Sequence, residues 1–181
     1  PELISEIADT FGSQCVVVSM DCRKETDGSY QVYTHSGSHA TGLSPEHWAY
    51  TCAKLGAGEI LINSIDRDGS RQGYDLNLIQ SVTDAVNIPV VVCGGVGKFS
   101  DFSLPILQCG ASAVAAANIF HHVEHSTIIA KAHMFTSGID VRIDNQANYY
   151  NREFDDDGRL IMHNSDYLDE IDFINSYSSR P

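Results

Sequence analysis

A short apolar segment, a polar or glycine-rich loop and a helix follow one another four times along this chain. The apolar segments are predicted as strands over residues 15–20, 59–65, 89–93 and 113–117. The helices after them are predicted over residues 44–55, 76–86, 101–108 and 127–136. Because crossovers between parallel strands are right-handed, the loops at the carboxyl ends of the strands should meet at one rim. The pattern therefore predicts an α/β fold with its polar clusters on a single edge.

Four such units make half of a (β/α)8 barrel, which typically needs about 250 residues. The chain has 181 residues, and we predict that residues 1–142 form a half-barrel. Residues 143–181 are rich in Asn, Asp, Tyr and Ser and are predicted as a polar C-terminal extension. Residues 1–10 already have helical spacing, so we expect a segment upstream. An N-terminal half-barrel or a second copy of the chain should cover the inner face of the sheet.

Two local patterns refine this prediction. Residues 15–20 are almost continuously apolar, which is typical of a parallel strand covered on both faces, and Asp21 is predicted to end that strand. The segment Tyr30–Thr34 alternates in polarity near the turn signal Asp27-Gly28. It is predicted as an exposed hairpin outside the main sheet.

Charge and cysteine content limit the partners and the compartment. The net charge of −13 and the pI near 4.7 argue against nucleic acid and anionic membranes, which would repel the chain. No apolar run reaches the ~18 residues of a membrane span, and no secretory leader opens the sequence. The five cysteines have neither a CxxC pair nor zinc-like spacing. A cytoplasmic protein with reduced thiols is therefore expected.

Histidines offer a weak metal hypothesis. His121, His122 and His125 have the spacing of half a zinc site on a helix, but no further ligand stands out. We expect neither a metal nor a cofactor.

Asp21 is the candidate catalytic residue. A carboxylate at the end of an apolar strand loses solvation free energy unless it has a function or a partner. General acid or base catalysis is one such function. The alternative is an ion pair with Arg23 or Lys24.

The loop after the second strand contains Asp66, Asp68 and Gly69. Glycine lets backbone N–H groups approach an anion closely, so this loop is a candidate phosphate site. A calcium-like or capping turn is the alternative.

A second candidate phosphate site joins the next two loops. Gly94 and Gly95 follow the third strand, and Ala117 and Asn118 follow the fourth, where small residues leave room for an oxyanion. A tight turn without a ligand is the alternative.

Five motifs occur in unbroken order within residues 1–142. They are FGSQCVVVSMD at 11–21, GAGEIL at 56–61, SIDRDG followed by GYD at 64–75, GGVGK at 94–98 and AANIFH at 116–121. In these motifs the chain resembles the cyclase subunit of imidazole glycerol phosphate synthase. The resemblance implies that the half-barrel is the C-terminal half of a TIM barrel.

The resemblance also implies a lyase and cyclase of histidine biosynthesis. Ammonia from a glutaminase partner would react with a bis-phosphorylated ribulosyl imidazole carboxamide. The products would be imidazole glycerol phosphate and an aminoimidazole carboxamide ribotide. Of the two aspartates that act as acid and base in the family, one matches Asp21 and the other has no counterpart in this sequence.

Site residues can be carried over position by position. The family's phosphate loops and substrate-side loop match Gly69, Gly94, Gly95, Asn118, Asp66 and Asp68. Glu59, which alone would be interpreted as a structural salt bridge, matches the charged ring at the ammonia entrance on the opposite face. Asn63 and Asn118 stand where small hydroxyl residues are common, and Asn63 is predicted to contact substrate.

Two further functions remain open at this point. A paralogous group assists the amidation of a sugar in surface-polysaccharide synthesis with the same kind of glutaminase. A non-catalytic half-barrel that binds phosphates would fit the absence of the other aspartate.

Overall fold

A six-stranded sheet organises the chain, and its strands lie in the order β3-β2-β1-β4-β5-β6. The strands are β1 Val17–Lys24, β2 Tyr30–Thr34, β3 His39–Ala40, β4 Glu59–Ser64, β5 Val90–Cys93 and β6 Ala113–Val114. Strands β1, β4, β5 and β6 are mutually parallel, whereas β1, β2 and β3 are antiparallel neighbours. The predicted α/β fold with four parallel strands is confirmed.

This computed structural model describes residues 1–121, 126–142, 153 and 161. The chain divides into two compact units, Pro1–Ile143 and Asp144–Pro181. His122, His125 and, apart from residues 153 and 161, the predicted extension lie outside the described residues.

Five α-helices occur within the described part of the chain. They are α1 Glu2–Phe11, α2 Pro45–Lys54, α3 Leu76–Thr83, α4 Leu104–Cys109 and α5 Ser126–Thr136. Short 3-10 helices span Ser13–Cys15, Phe99–Ser103 and Asn118–His121. Each predicted helix is present, although the one predicted at 101–108 begins as a 3-10 turn. None of these described helices is both long and apolar enough to cross a bilayer.

One face of the sheet packs against α1 to α4 and forms the main core. Its buried strand residues alternate along the chain, as expected for a sheet with one covered face, and they are Met20, Cys22, Ile60, Ile62, Val90 and Val92. They pack with buried side chains of the helices, including Ala49, Cys52, Leu78 and Val82. A smaller core joins Phe99 and Phe102 to Ile129 and Met134 of α5.

The opposite face of the sheet stays open within the described residues. Val17 is 53% exposed, and Ser19 is also exposed, whereas Leu61, Asn63 and Val91 are half-buried. The described residues cover one face of the first strand, and its coverage on both faces stays a prediction. Its apolar residues belong to two different faces, and the described residues cover one of them.

The first strand does not end at Asp21. Residues Asp21 to Lys24 continue the strand because they pair with β2, in the register Asp21 to Tyr33 and Lys24 to Tyr30. The prediction that Tyr30–Thr34 lies outside the main sheet is wrong for the same reason. The hairpin extends the sheet on one side and builds up the rim beside Asp21.

Candidate functional site

The carboxyl ends of β1, β4 and β5 meet at one edge of the sheet, which we call the rim. Residues 1–121 contain six Lys and Arg side chains, and five of them lie at or just after these strand ends: Arg23, Lys24, Arg67, Arg71 and Lys98. The sixth, Lys54, lies in the last turn of α2. The loops after the same strands also carry Asp66, Asp68 and Asp75, so in a chain with a net charge of −13 these cations offset part of the acidic charge at the rim.

A pocket opens on the rim with a volume of about 40 Å³. Loops after β4, β5 and β6 line it with Asp68, Gly69, Arg71, Cys93, Gly94, Gly95, Val96, Ala116, Ala117, Asn118 and Ile119. A water-sized group needs at least 10–15 Å³ by the same measure, so the pocket holds about three such groups. It is therefore large enough to enclose several oxygens of one oxyanion.

Most of the predicted phosphate residues come together in this pocket. Asp68, Gly69, Gly94, Gly95, Ala117 and Asn118 all line it. Asp66 and Asn63 do not, and each has a different contact.

The glycines of the pocket allow two loops to pack against each other. Gly94 and Gly95 have φ of 91° and 110°, a region that side chains with a Cβ rarely adopt. A Cβ on Gly95 would overlap the carbonyl oxygen of Gly73. The amide of Gly73 in turn donates to the carbonyl of Gly95 at 2.8 Å. Backbone conformation and the packing of the two loops therefore require glycine at positions 94 and 95, whether or not a ligand binds there.

The carboxylate of Asp101 holds the backbone of the loop after β5 in place. Its buried carboxylate accepts hydrogen bonds from the backbone N–H groups of Gly97 and Lys98, each at 3.0 Å. Sequence reasoning missed this residue, although an acid three residues after a helix N-cap, here Lys98, is a recognisable helix-start signal.

Arg71 and Cys93 also line the pocket without having been predicted. Arg71 has a positive φ of 60°, which is uncommon for a residue with a side chain. Burial raises the pKa of the Cys93 thiol, with a smaller rise from the Asp68 charge, so this thiol is neutral at pH 7. A cation inside a glycine-containing loop was the available signal for Arg71.

Asp21 lies on the open face beside Asn63. The two residues are Cα partners across β1 and β4, and Asn63 Nδ2 donates to Asp21 Oδ1 at 3.2 Å. Neither Arg23 nor Lys24 forms an ion pair with Asp21 among the described residues. The guanidinium of Arg23 instead stacks over the Tyr33 ring at 4.6 Å. The carboxylate is therefore not neutralised by the neighbours that the alternative interpretation required.

Asp66 ties two strand ends together. Its Oδ2 accepts a hydrogen bond from the backbone N–H of Lys24 at 2.8 Å. Asp75, at the end of the same loop, caps α3 by accepting from the Leu78 N–H and also accepts from the Tyr30 hydroxyl. The capping interpretation of this loop thus holds for Asp75, while Asp68 faces the pocket.

Glu59 lies at the opposite edge of the sheet, where β4 begins. It is half-buried, and no ion pair involves it within the part of the chain that the structure describes. Asn63 lies four residue steps further along the strand, which corresponds to about 13 Å. A structural salt bridge is thus not formed by these residues.

Comparison with known proteins agrees with the motifs. The sequence profile of the family described as histidine biosynthesis protein matches residues 1–126. The chain is 42% identical over 159 residues to a protein of Vibrio vulnificus (strain YJ016) named "Putative imidazole glycerol phosphate synthase subunit hisF2". The alignment covers 88% of this chain and 58% of that relative, so the chain spans less than two thirds of the relative's length. The profile match over more than half of the sequence, on a sheet of parallel strands with its pocket at the carboxyl rim, shows that the chain belongs to the histidine biosynthesis protein family.

Proposed function

We propose that residues 1–142 are the C-terminal half of a (β/α)8 cyclase barrel of the imidazole glycerol phosphate synthase type. The substrate is a bis-phosphorylated ribulosyl imidazole carboxamide, and ammonia from a glutaminase subunit is the nitrogen source. The name of the Vibrio relative and the family match support this assignment. The observation that carries it is the common edge shared by the anion-sized pocket and the Asp21–Asn63 pair.

The layout of the rim fits a sugar phosphate. Asp21 is on β1 and Gly94 follows β5, and β4 lies between them. Two strand spacings of about 4.8 Å separate the carboxylate from the pocket by roughly 10 Å. A phosphate held in the pocket would therefore place the sugar carbons over the Asp21–Asn63 pair.

Each group then has a defined task. The pocket's glycine loops and Arg71 hold one phosphate, and the pocket walls fix the position of the sugar. Asp21 moves protons to and from the reacting group as ammonia adds and the imidazole ring closes. The open face of the sheet, closed by a partner half-barrel, keeps bulk water from the reacting atoms.

The direct test is turnover by the full-length protein that contains this chain. Purified protein is supplied with an ammonium salt and the bis-phosphorylated carboxamide, and formation of imidazole glycerol phosphate is followed. The proposal predicts ammonia-dependent turnover without a glutaminase. No turnover with this substrate, combined with intact phosphate binding, would instead favour the sugar-amidating paralogue or phosphate binding without catalysis.

Phosphate binding gives a prediction of its own. We expect inorganic phosphate to bind at Gly69, Gly95 and Asn118 in this half, and at a second site when the N-terminal half is present. Gly95→Ala should weaken binding in this half by about tenfold or more, equal to ~1.4 kcal/mol, because its Cβ displaces the Gly73 loop. Calorimetric titration with phosphate measures the change.

Gly110→Ala is the matched control for this variant. Gly110 also has a positive φ, of 68°, but it ends α4 and a Cβ there meets nothing within 4 Å. Phosphate affinity should not change in that variant. A ligand-soaked crystal with no anion within hydrogen-bonding distance of Gly69, Gly95 or Asn118 would remove the phosphate site from the proposal.

Glu59 is proposed to line the ammonia entrance. Its position at the opposite edge, about 13 Å from Asn63 along β4, suits an inlet rather than the reaction centre. We expect Glu59→Gln to lower glutamine-dependent turnover by about tenfold, equal to ~1.4 kcal/mol in the barrier. Turnover with an ammonium salt at saturation should stay unchanged. Equal loss with both nitrogen sources would assign Glu59 to the fold instead.

A further inference from the structure

Asn63 contains a buried polar atom that has no hydrogen-bond partner. Its Nδ2 donates to Asp21 Oδ1 at 3.2 Å, but its Oδ1 is buried without a donor among the described residues. A carboxylate only accepts hydrogen bonds, so the amide nitrogen must face it and the amide oxygen must face away. A buried acceptor without a donor is destabilising, and such atoms in native proteins call for a reason.

The atoms around this amide group determine where it lies, but they do not determine whether its oxygen or its NH₂ group faces Asp21. A Cβ on Gly94 would lie 3.0 Å from Asn63 Oδ1 and 2.9 Å from the carbonyl oxygen of Ser64. The amide group therefore packs against the bare Cα of Gly94, in space that any other residue would fill. The oxygen and the NH₂ group of an amide are nearly equal in size, so a 180° rotation about Cβ–Cγ keeps the same packing.

We propose that Asn63 is a positioning residue that holds Asp21 in both of its protonation states. When Asp21 is ionised, Nδ2 donates to the carboxylate, as the structure has it. When the proton that Asp21 takes from the substrate lies on Oδ1, the oxygen beside Asn63, the amide rotates and its own Oδ1 accepts this new O–H. The proton returns to the substrate in the later step and the amide rotates back, so no proton is gained or lost. The inference rests on the proposed acid–base role of Asp21.

This role makes a specific demand on the side chain at position 63. The residue must be able both to donate and to accept, which an amide and a hydroxyl can do and a hydrocarbon cannot. Thr and Val have nearly the same shape, and both suit a β-strand. They differ in the one property that the role requires, because the Thr hydroxyl can donate and accept a hydrogen bond and the Val side chain can do neither.

The test compares Asn63→Thr with Asn63→Val in the full-length protein, with an ammonium salt and the bis-phosphorylated carboxamide. We expect the Thr variant to have a kcat about tenfold or more above the Val variant, because general acid–base catalysis contributes about 10²–10⁴-fold in total. The KM of the two variants should agree within about threefold, because neither removes a phosphate contact. Equal kcat values in the Thr and Val variants would overturn the inference. A higher KM at unchanged kcat would also overturn it, since Asn63 would then bind substrate directly.

Two controls separate this inference from the proposed function. Asn77→Leu alters an exposed amide on α3 and should leave kcat unchanged. Asp21→Asn tests the acid–base role itself. If Asp21→Asn loses turnover while the Asn63→Thr and Asn63→Val variants have equal kcat values, the inference about Asn63 is wrong and the proposed role of Asp21 stands. If Asp21→Asn turns over substrate at the wild-type rate, the proposed role of Asp21 is wrong, and the inference about Asn63 is wrong with it.

Discussion

Asp21→Asn is expected to lower the ammonia-dependent kcat of the full-length protein by ~10²-fold or more, the usual contribution of a general acid or base. The substitution keeps the shape of the side chain and an oxygen that can accept from Asn63 Nδ2. It removes the ability to carry a proton. KM should change little, because the phosphate pocket lies two strands away. Steady-state kinetics with an ammonium salt measure both constants.

Asp84→Asn is the control for this loss of charge. Asp84 follows the last turn of α3 and accepts a hydrogen bond from Gln80 Nε2 at 2.7 Å, away from the rim. Its replacement removes the same charge and should leave kcat unchanged. If Asp21→Asn also stayed within a factor of about three of wild type, Asp21 would be structural and its catalytic assignment wrong.

Much of the fold could be predicted because its signals are local. The strands at 59–64 and 90–93 are short apolar runs, and glycines or polar residues end them within the same window of sequence. The helix at Pro45–Lys54 begins with proline at its first position, although the Ser44 side chain makes no capping bond. Such signals depend on neighbours within about four residues.

Strand pairing was not predictable in the same way. Tyr30–Thr34 has the alternation of a strand wherever it lies, and only its pairing with Asp21 to Lys24 places it in the main sheet. The extent of β1 depends on that same pairing. Likewise, an apolar run such as residues 16–18 shows which side chains avoid water but not what covers them.

The candidate site shows the same difference between signals that are local in sequence and contacts that depend on strand pairing. Gly94 and Gly95 were predictable because a positive φ after a strand calls for glycine. The hydrogen bond between Asp21 and Asn63 was not, because it joins residues 42 positions apart through the register of β1 and β4. Chemistry that is local in sequence could be inferred, and chemistry that depends on register could not.

We expect the chain to associate with itself through the open face of the sheet. The 181-residue chain produced alone should sediment at twice its mass of 19.8 kDa or more at tens of micromolar. Val17 is 53% exposed, and the half-buried Leu61 and Val91 lie on the same face, so association removes apolar area from water. The outer strands β3 and β6 have two residues each, which offers little backbone for edge pairing. The face itself is therefore the expected contact.

A pair of lysine substitutions tests whether this face drives the association. Val17→Lys places a charge on the open face and should shift the chain toward a 20 kDa species, because an unpaired charge is costly to bury. Leu107→Lys adds the same charge at a residue of similar exposure, 56%, on α4, and should leave the associated mass unchanged. A full-length protein with both half-barrels should cover the face and make Val17→Lys destabilising instead. A wild-type chain that remained a stable monomer at these concentrations would contradict closure of the barrel through this face.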